Sequence, residues 1–275
     1  MLFKQWNEIA EPRHQLDSPV GIADEGTLQP SALPKVTLPV IDFKRYRRVV
    51  LSSAIMNPLF PERLLKLACV GDMEATLDIT TINTTEDHAV HSWSFDENFP
   101  NEMDPERAEQ EKSRSFRVST PIVAFDDTLI ISLKENFLKD SPIFTNIIAE
   151  QIVRELASCG APSGIEVVVL GTSDQVAEMK RVDDSSTTLN PPEFVTGFAG
   201  AVLTQLIGCR IPFQGIIAPS EGPIGYEKLN LVTMQELVNL CHQWVTVDRE
   251  VYKNECYRRW RLEGAAIGAQ SGLYI

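Results

Sequence analysis

No apolar run in the 275 residues reaches the roughly 20 residues that a membrane-spanning helix requires. Basic side chains are scarce as well: 25 Lys and Arg stand against 38 Asp and Glu, a net charge of −13. Nucleic acid and anionic membrane surfaces both demand a basic footprint, so neither is expected as a partner. The start, Met1-Leu-Phe-Lys-Gln-Trp6, has no apolar core followed by small residues, and no secretory signal is expected. Cysteine is sparse and odd in number (Cys69, Cys159, Cys209, Cys241, Cys256), without a Cys-x-x-Cys pair. That usage fits reduced, mostly buried thiols in a cytoplasmic or nuclear protein. The four histidines offer no metal-ligand spacing, and His88 and His91 stand in a polar stretch without a second ligand pair, so no metal is expected.

Catalytic signatures are missing too. Gly171-Thr-Ser-Asp174 leaves an apolar strand candidate and reads as the entry to a helix, where free N–H groups can hold an anion. It lacks both the Walker lysine pattern and the dinucleotide GxGxxG, and Thr172, Ser173 or Asp174 acting as a plain helix cap explains it. Ser220, in Pro219-Ser-Glu-Gly222, is a conceivable nucleophile without a GxSxG elbow. The nearest histidine in sequence, His242, lies on a helix dominated by apolar residues. No catalytic residue and no cofactor is therefore assigned. The alternative reading is an α/β hydrolase or nucleoside phosphorylase-like enzyme using the loops at Gly171 and Ser220.

What is present is an alternation of strands and helices. Residues 1–44 carry Pro12, Pro19, Pro30, Pro34 and Pro39 without periodicity and read as an extended or disordered arm, with Leu2, Phe3 and Trp6 as a possible second binding element at its tip. Strands are expected near 47–55 and 75–82, with a short helix over 62–70 between them. Residues 116–125 and 128–133, parted by Asp126-Asp127, form a hairpin signal. Ser141-Pro142 opens a helix with Phe144, Ile148, Ile152 and Leu156 on one face. Ile165-Glu-Val-Val-Val-Leu170 suits a strand covered on both faces, followed by a helix to Lys180 and a polar loop over 183–190. A helix carrying Val195, Phe198, Ala199, Val202, Leu203 and Leu206 follows, with close packing expected at Gly197 and Gly200, then a buried strand over 213–218. Thr233-Met-Gln-Glu236 reads as a capping box. Asp248 caps a last helix running to about Leu262, with Arg258, Arg259 and Arg261 at its negative pole. The pattern predicts an α/β fold: a mixed, largely parallel central sheet flanked by helices on both faces, one domain over 45–262, with an N-terminal arm and a C-terminal tail.

Within the tail, 263–275, the stretch from Gly264 to Gly272 is small, uncharged and too glycine-rich to hold a helix alone. The tail ends on Leu273-Tyr-Ile275. A carboxylate accepts charge-assisted hydrogen bonds, a phenol offers a flat apolar body with a polar tip, and capture of a terminal carboxylate is a recurring mode of peptide recognition. The alternative is a terminus that is simply docked or frayed.

Uncommon stretches are spread along the whole chain: Ile55-Met-Asn-Pro-Leu-Phe-Pro61, His91-Ser-Trp-Ser-Phe-Asp-Glu-Asn-Phe-Pro-Asn-Glu102, Pro191-Pro-Glu-Phe194 and Ala218-Pro-Ser-Glu-Gly-Pro223. With the first six residues, Gly171-Thr-Ser-Asp174 and the end from Cys256 to Ile275, they resemble the fungal proteasome assembly chaperone 1 family. That family supplies the first subunit of a paired chaperone. The resemblance implies a non-enzymatic α/β subunit, heterodimeric with a second assembly chaperone, without cofactor. It implies binding to proteasome α-subunits through a C-terminal hydrophobic-tyrosine-X motif, here Leu273, Tyr274 and Ile275, whose carboxylate would meet a lysine between adjacent α-subunits. It further implies that the dimer helps the α-ring assemble and keeps regulatory particles off immature core particles.

Overall fold

The apolar run at 165–170 lies at the heart of the sheet in the computed structural model, which describes residues 34–79, 114–134, 143–159, 164–222 and 227–271. The strands are β1 (Lys35–Thr37), β2 (Arg48–Ser53), β3 (Ala68–Ile79), β4 (Arg114–Phe125), β5 (Thr128–Leu133), β6 (Glu166–Ser173), β7 (Lys180–Asp183) and β8 (Phe213–Pro219). The helices are α1 (Glu62–Leu65), α2 (Ile143–Ser158), α3 (Gly197–Cys209), α4 (Leu231–Cys241) and α5 (Arg249–Ser271). The eight strands form one sheet in the order β1-β3-β4-β5-β2-β6-β8-β7. The chain divides into two units, Met1–Leu33 with Leu77–Ser115, and Pro34–Thr76 with Phe116–Ile275. The packing described below belongs to the second.

The α/β fold is as expected, but parallel pairing is confined to the centre. β2 runs parallel to β5 and β6, and β6 parallel to β8, whereas β1–β3, β4–β5 and β7–β8 are antiparallel. Linker length explains the margins. Asp126-Asp127 is a two-residue turn, with Asp126 at φ 44°, and such a turn can only join antiparallel strands. The helix expected between Asp174 and Lys180 is absent. β6 continues through Ser173, and the few residues before β7 are too short for the dozen-residue crossover a parallel return needs. The polar loop after β7 is present. The short helix expected over 62–70 is a single turn, α1, stopped by Lys66 in the left-handed region (φ 53°), and β3 begins at Ala68.

Period-two alternation gives the sheet two apolar faces. Val50, Ile130, Val168, Leu170, Ile216 and Ala218 share a core with Met234, Leu237 and Val238 of α4 and Tyr252 and Cys256 of α5. Val49, Leu51, Leu129, Ile131, Val167 and Val169 alternate with them and are buried on the other side. There α3 lies against β6 so closely that a Cβ at Gly171 would stand 2.4 Å from the Cβ of Ala199. The close approach expected within α3 is found at Gly200, where a Cβ would lie 2.7 Å from the Val195 carbonyl oxygen.

Helix ends correct three expectations. α4 begins at Leu231, and its cap is Asn230, whose Oδ1 accepts from the Thr233 N–H at 2.8 Å. Thr233 is thus a buried helical residue rather than the first member of a capping box. Asp248 does cap α5, its Oδ1 accepting from the N–H groups of Glu250 (3.0 Å) and Val251 (3.1 Å). α5 does not stop near Leu262 but continues to Ser271. Once a helix is nucleated, each added residue gains a hydrogen bond, and Ala265, Ala266, Ala269 and Gln270 offset Gly264 and Gly268. Arg258, Arg259 and Arg261 therefore sit mid-helix, away from its negative pole.

β1 and the turn at Phe43–Arg45 lie within the stretch expected as an arm: β1 pairs with β3, and Phe43 is buried. All five cysteines are free, but only Cys241 and Cys256 are buried; Cys69 and Cys209 are exposed. Cys69 falls near the start of β3 and Cys209 ends α3, both away from the core-facing positions.

Candidate functional site

α5 is the element that leads to the C-terminal residues, and its first three turns are fastened to the body. The Tyr252 hydroxyl donates to the Leu59 carbonyl at 2.7 Å, and the Cys256 thiol lies 3.9 Å from the same oxygen. One turn on, Arg259 donates from its guanidinium to the Phe60 carbonyl at 3.3 Å. The spacing 252, 256, 259 keeps one helix face against the turn that follows β2. Burial pushes the Tyr252 phenol far above its ordinary value and the Cys256 thiol up to about 12; burial also raises the Cys241 thiol. All three are neutral at physiological pH, and the two thiols are inert as nucleophiles. Beside this face, Arg258 pairs with Glu255.

Leu273, Tyr274 and Ile275, the expected proteasome-binding residues, lie outside the described residues, as do Leu2, Phe3 and Trp6. The described helix brings the chain to Ser271, four residues before the end of the sequence.

The strand-end loops of the enzyme reading are closed by their own chain. Ser173 Oγ donates to the Phe194 carbonyl at 2.8 Å and accepts from the Gln175 N–H at 3.1 Å. The Ser220 N–H donates to the Ser173 carbonyl at 3.1 Å. The Ser220 hydroxyl is shut off from solvent, with no hydrogen-bond partner among the described residues. His242 stands with Nε2 3.1 Å from the Val247 carbonyl and its ring tilted against that of Tyr252 at 5.8 Å. Ala199 fills the space over Gly171. Among the described residues nothing activates Ser220, and no group of three His, Cys, Asp or Glu could hold a metal. No helix among the described residues is long and apolar enough to cross a membrane.

Beside these loops, the buried Lys180 ammonium bridges Glu178 and Glu193, each at 3.1 Å. Hydrogen bonding to Glu178, then to Glu193, raises the Lys180 pKa; the Asn190 N–H, then Lys180, lowers that of Glu193. This clamp fastens the segment before α3 to β7 and leaves Phe194 half exposed (48%) beside it.

A cleft of about 270 Å³ opens at the carboxyl ends of β2 and β5. Val123 and Ile130 line its apolar part, and Asn57, Ser132, Lys134 and Arg259 line its polar part. Ser132 Oγ donates to Asn57 Oδ1 at 2.6 Å and accepts from Ser52 Oγ at 3.2 Å. No local spacing marks this cleft in the sequence, because its walls come from the turn after β2, the β4–β5 hairpin and α5.

The family described as "POC1 chaperone" matches residues 1–275. Proteasome chaperone 1 of Saccharomyces cerevisiae is 45% identical over 280 residues, covering 100% of both chains. Among solved structures, Pyrococcus furiosus PbaA, an archaeal homolog of proteasome-assembly chaperone, overlaps 88% of this chain and 100% of its own, at 11% identity and a TM-score of 0.48. PbaB of the same organism, an archaeal proteasome activator, overlaps 85% of this chain and 98% of its own, at 10% identity and a TM-score of 0.43.

Proposed function

Since this chain belongs to the POC1 chaperone family, we propose that it works on the proteasome core particle as one half of a heterodimer with a second assembly chaperone. In this reading the dimer docks on the α-ring through Leu273, Tyr274 and Ile275, promotes assembly of the ring and blocks premature binding of regulatory particles, in the cytoplasm or nucleus. The observation that carries it is the 45% identity to Proteasome chaperone 1 of Saccharomyces cerevisiae along the full length of both chains. The anchored α5 supports the tail as the docking element, because it leads to that tripeptide from a fixed base. Leu2, Phe3 and Trp6 would add a second contact.

The terminal carboxylate is the group the mechanism depends on. Removing residues 273–275 should abolish capture of α-rings by the tagged heterodimer and leave thermal unfolding of the chain unchanged. Amidating the terminus alone removes charge-assisted hydrogen bonds of about 1.5–3 kcal/mol, a loss of roughly tenfold to a hundredfold in affinity. Full α-ring affinity in the truncated protein would end the tail mechanism. Protease protection of residues 1–40 only on adding α-rings is the corresponding result for the N-terminal element.

A further inference from the structure

The cleft between the β4–β5 hairpin, the turn after β2 and α5 carries a charge opposite to that of the chain around it. Lys134, immediately after β5, and Arg259 of α5 both line it, against Glu62 as the one carboxylate. Lys134 forms no ion pair with any described carboxylate, although the sequence carries 38 acidic side chains against 25 basic ones. Arg63 and Lys66, exposed on and just after α1, add positive charge next to Glu62. Arg63 also acts with Arg258 and Arg259 in holding the Glu255 carboxyl below its usual range, after the leading effect of the Arg258 hydrogen bond. With no described carboxylate paired to it, the Lys134 ammonium is available to an anion.

The rest of the lining suits a carboxylate on a short side chain. The cleft is near the lower end of the roughly 300–1,000 Å³ typical of ligand pockets, large enough for a side chain or two but cramped for a nucleotide. Its apolar part, Val123 and Ile130, matches the methylenes of a glutamate. Its hydroxyls and amide at Ser132 and Asn57 are already oriented by each other at 2.6 Å, so little ordering is needed on binding. Arginine and lysine hydrogen bonds to carboxylate are the strong kind. Arg259 is also steadied by its bond to the Phe60 carbonyl.

We propose that this cleft is a second docking site, separate from the C-terminal tripeptide, that takes a glutamate side chain from an acidic segment of a partner protein. It does not depend on the α-ring reading and survives if the tail mechanism fails.

The test uses the full-length chain and a fluorescein-labelled, N-acetylated octaglutamate peptide, followed by anisotropy at low and at moderate salt. Saturable binding is expected. Lys134→Ala should weaken it tenfold or more, and Lys134→Arg should stay within about threefold of the unaltered protein, as one charge-assisted contact of about 1.5–3 kcal/mol implies. Lys44→Ala, which removes an exposed cation from the turn before β2, should leave binding unchanged, and so should deletion of residues 273–275. Equal losses in Lys134→Ala and Lys44→Ala would reduce the effect to general charge attraction and overturn the site. Absence of saturable binding would overturn it too. Tripolyphosphate displacing the peptide at concentrations well below those needed for free glutamate would make the cleft a phosphate site and overturn the peptide assignment.

Discussion

The phenolic hydroxyl of Tyr252 and the carbonyl of Leu59 meet at 2.7 Å, 193 residues apart in sequence, and Tyr252 is fully buried where they do. That bond ties the first turn of α5 to the turn following the central strand β2. Among the described residues, the Leu59 carbonyl otherwise has the weak thiol of Cys256 nearby, at 3.9 Å. Tyr252→Phe leaves that buried acceptor nearly unsatisfied and should cost about 1–3 kcal/mol. Tyr252→Ala opens a cavity as well and should cost about 3–5 kcal/mol. Urea unfolding with matched slopes gives both numbers.

Gly171 is required by space. Its hypothetical Cβ would lie 2.4 Å from that of Ala199, so Gly171→Ala should destabilise by about 1–3 kcal/mol, as overpacked cores do. Ala199→Gly costs about 0.5–1 kcal/mol alone, through helix propensity. In the double variant the clash is gone, and the two effects should fall short of their sum. A double-mutant cycle in thermal or chemical denaturation measures that coupling.

Two candidate caps for α4 separate cleanly. Asn230→Ala removes the acceptor for the Thr233 N–H and should cost about 0.5–2 kcal/mol. Glu236→Ala, the second member of the box read from the sequence, should fall within about 0.5 kcal/mol of the unaltered protein, as exposed substitutions do.

The Asp183 carboxylate accepts hydrogen bonds from the N–H and hydroxyl groups of both Ser185 and Ser186, at 2.6–2.9 Å. The Ser186 hydroxyl, followed by the Ser185 N–H, lowers its pKa from 3.8 to about 2. A carboxyl held lower in the folded chain adds stability that is fully present above its unfolded value, and loses it as pH falls through the folded one. The turn after β7 should therefore be undiminished above pH 4 and weaken between about pH 4 and 2. Carboxyl-carbon NMR titration should find the low value directly, and Ser186→Ala should raise it.

Sheet and helix positions were legible wherever a local period carried the information. The near-continuous apolar strand β6, the face of α2 through Phe144, Ile148, Ile152 and Leu156, and the β4–β5 hairpin turn at Asp126-Asp127 are all where the sequence puts them. Misreadings arose where tertiary context decided. Thr233 and Glu236 fit a capping box as well as Asn230 fits a cap, and only the entry of the chain from β8 selects between them. The residues after Ser173 look able to start a helix, but the chain is fastened at once by the Phe194 carbonyl and turns back into β7. The cleft at Lys134 and Arg259 left no trace in the sequence, since it joins residues 125 positions apart in chain order. The tail tripeptide was the reverse case. Its chemistry is read from the sequence alone, it lies outside the described residues, and its docking role is the proposal made above.

The extension of α5 to Ser271 changes the economy of any encounter made by the last residues. From Arg259 to Ser271 the helix adds about 18 Å of stiff rise, at about 1.5 Å per residue. A four-residue tether spans no more than about 14 Å, at roughly 3.3–3.6 Å per residue. A wholly flexible tether of thirteen residues from 263 would sweep a far larger volume. For the docking proposed above, a tether starting at Ser271 rather than at Leu262 would raise the effective concentration of its end at a receptor pocket near that point and lower it elsewhere. In that proposed docking, helix length becomes a geometric selector: inserting or deleting two residues in 263–271 would rotate the point where the helix ends by about 200° about its axis and shift it by about 3 Å, leaving the chemistry of the tripeptide untouched.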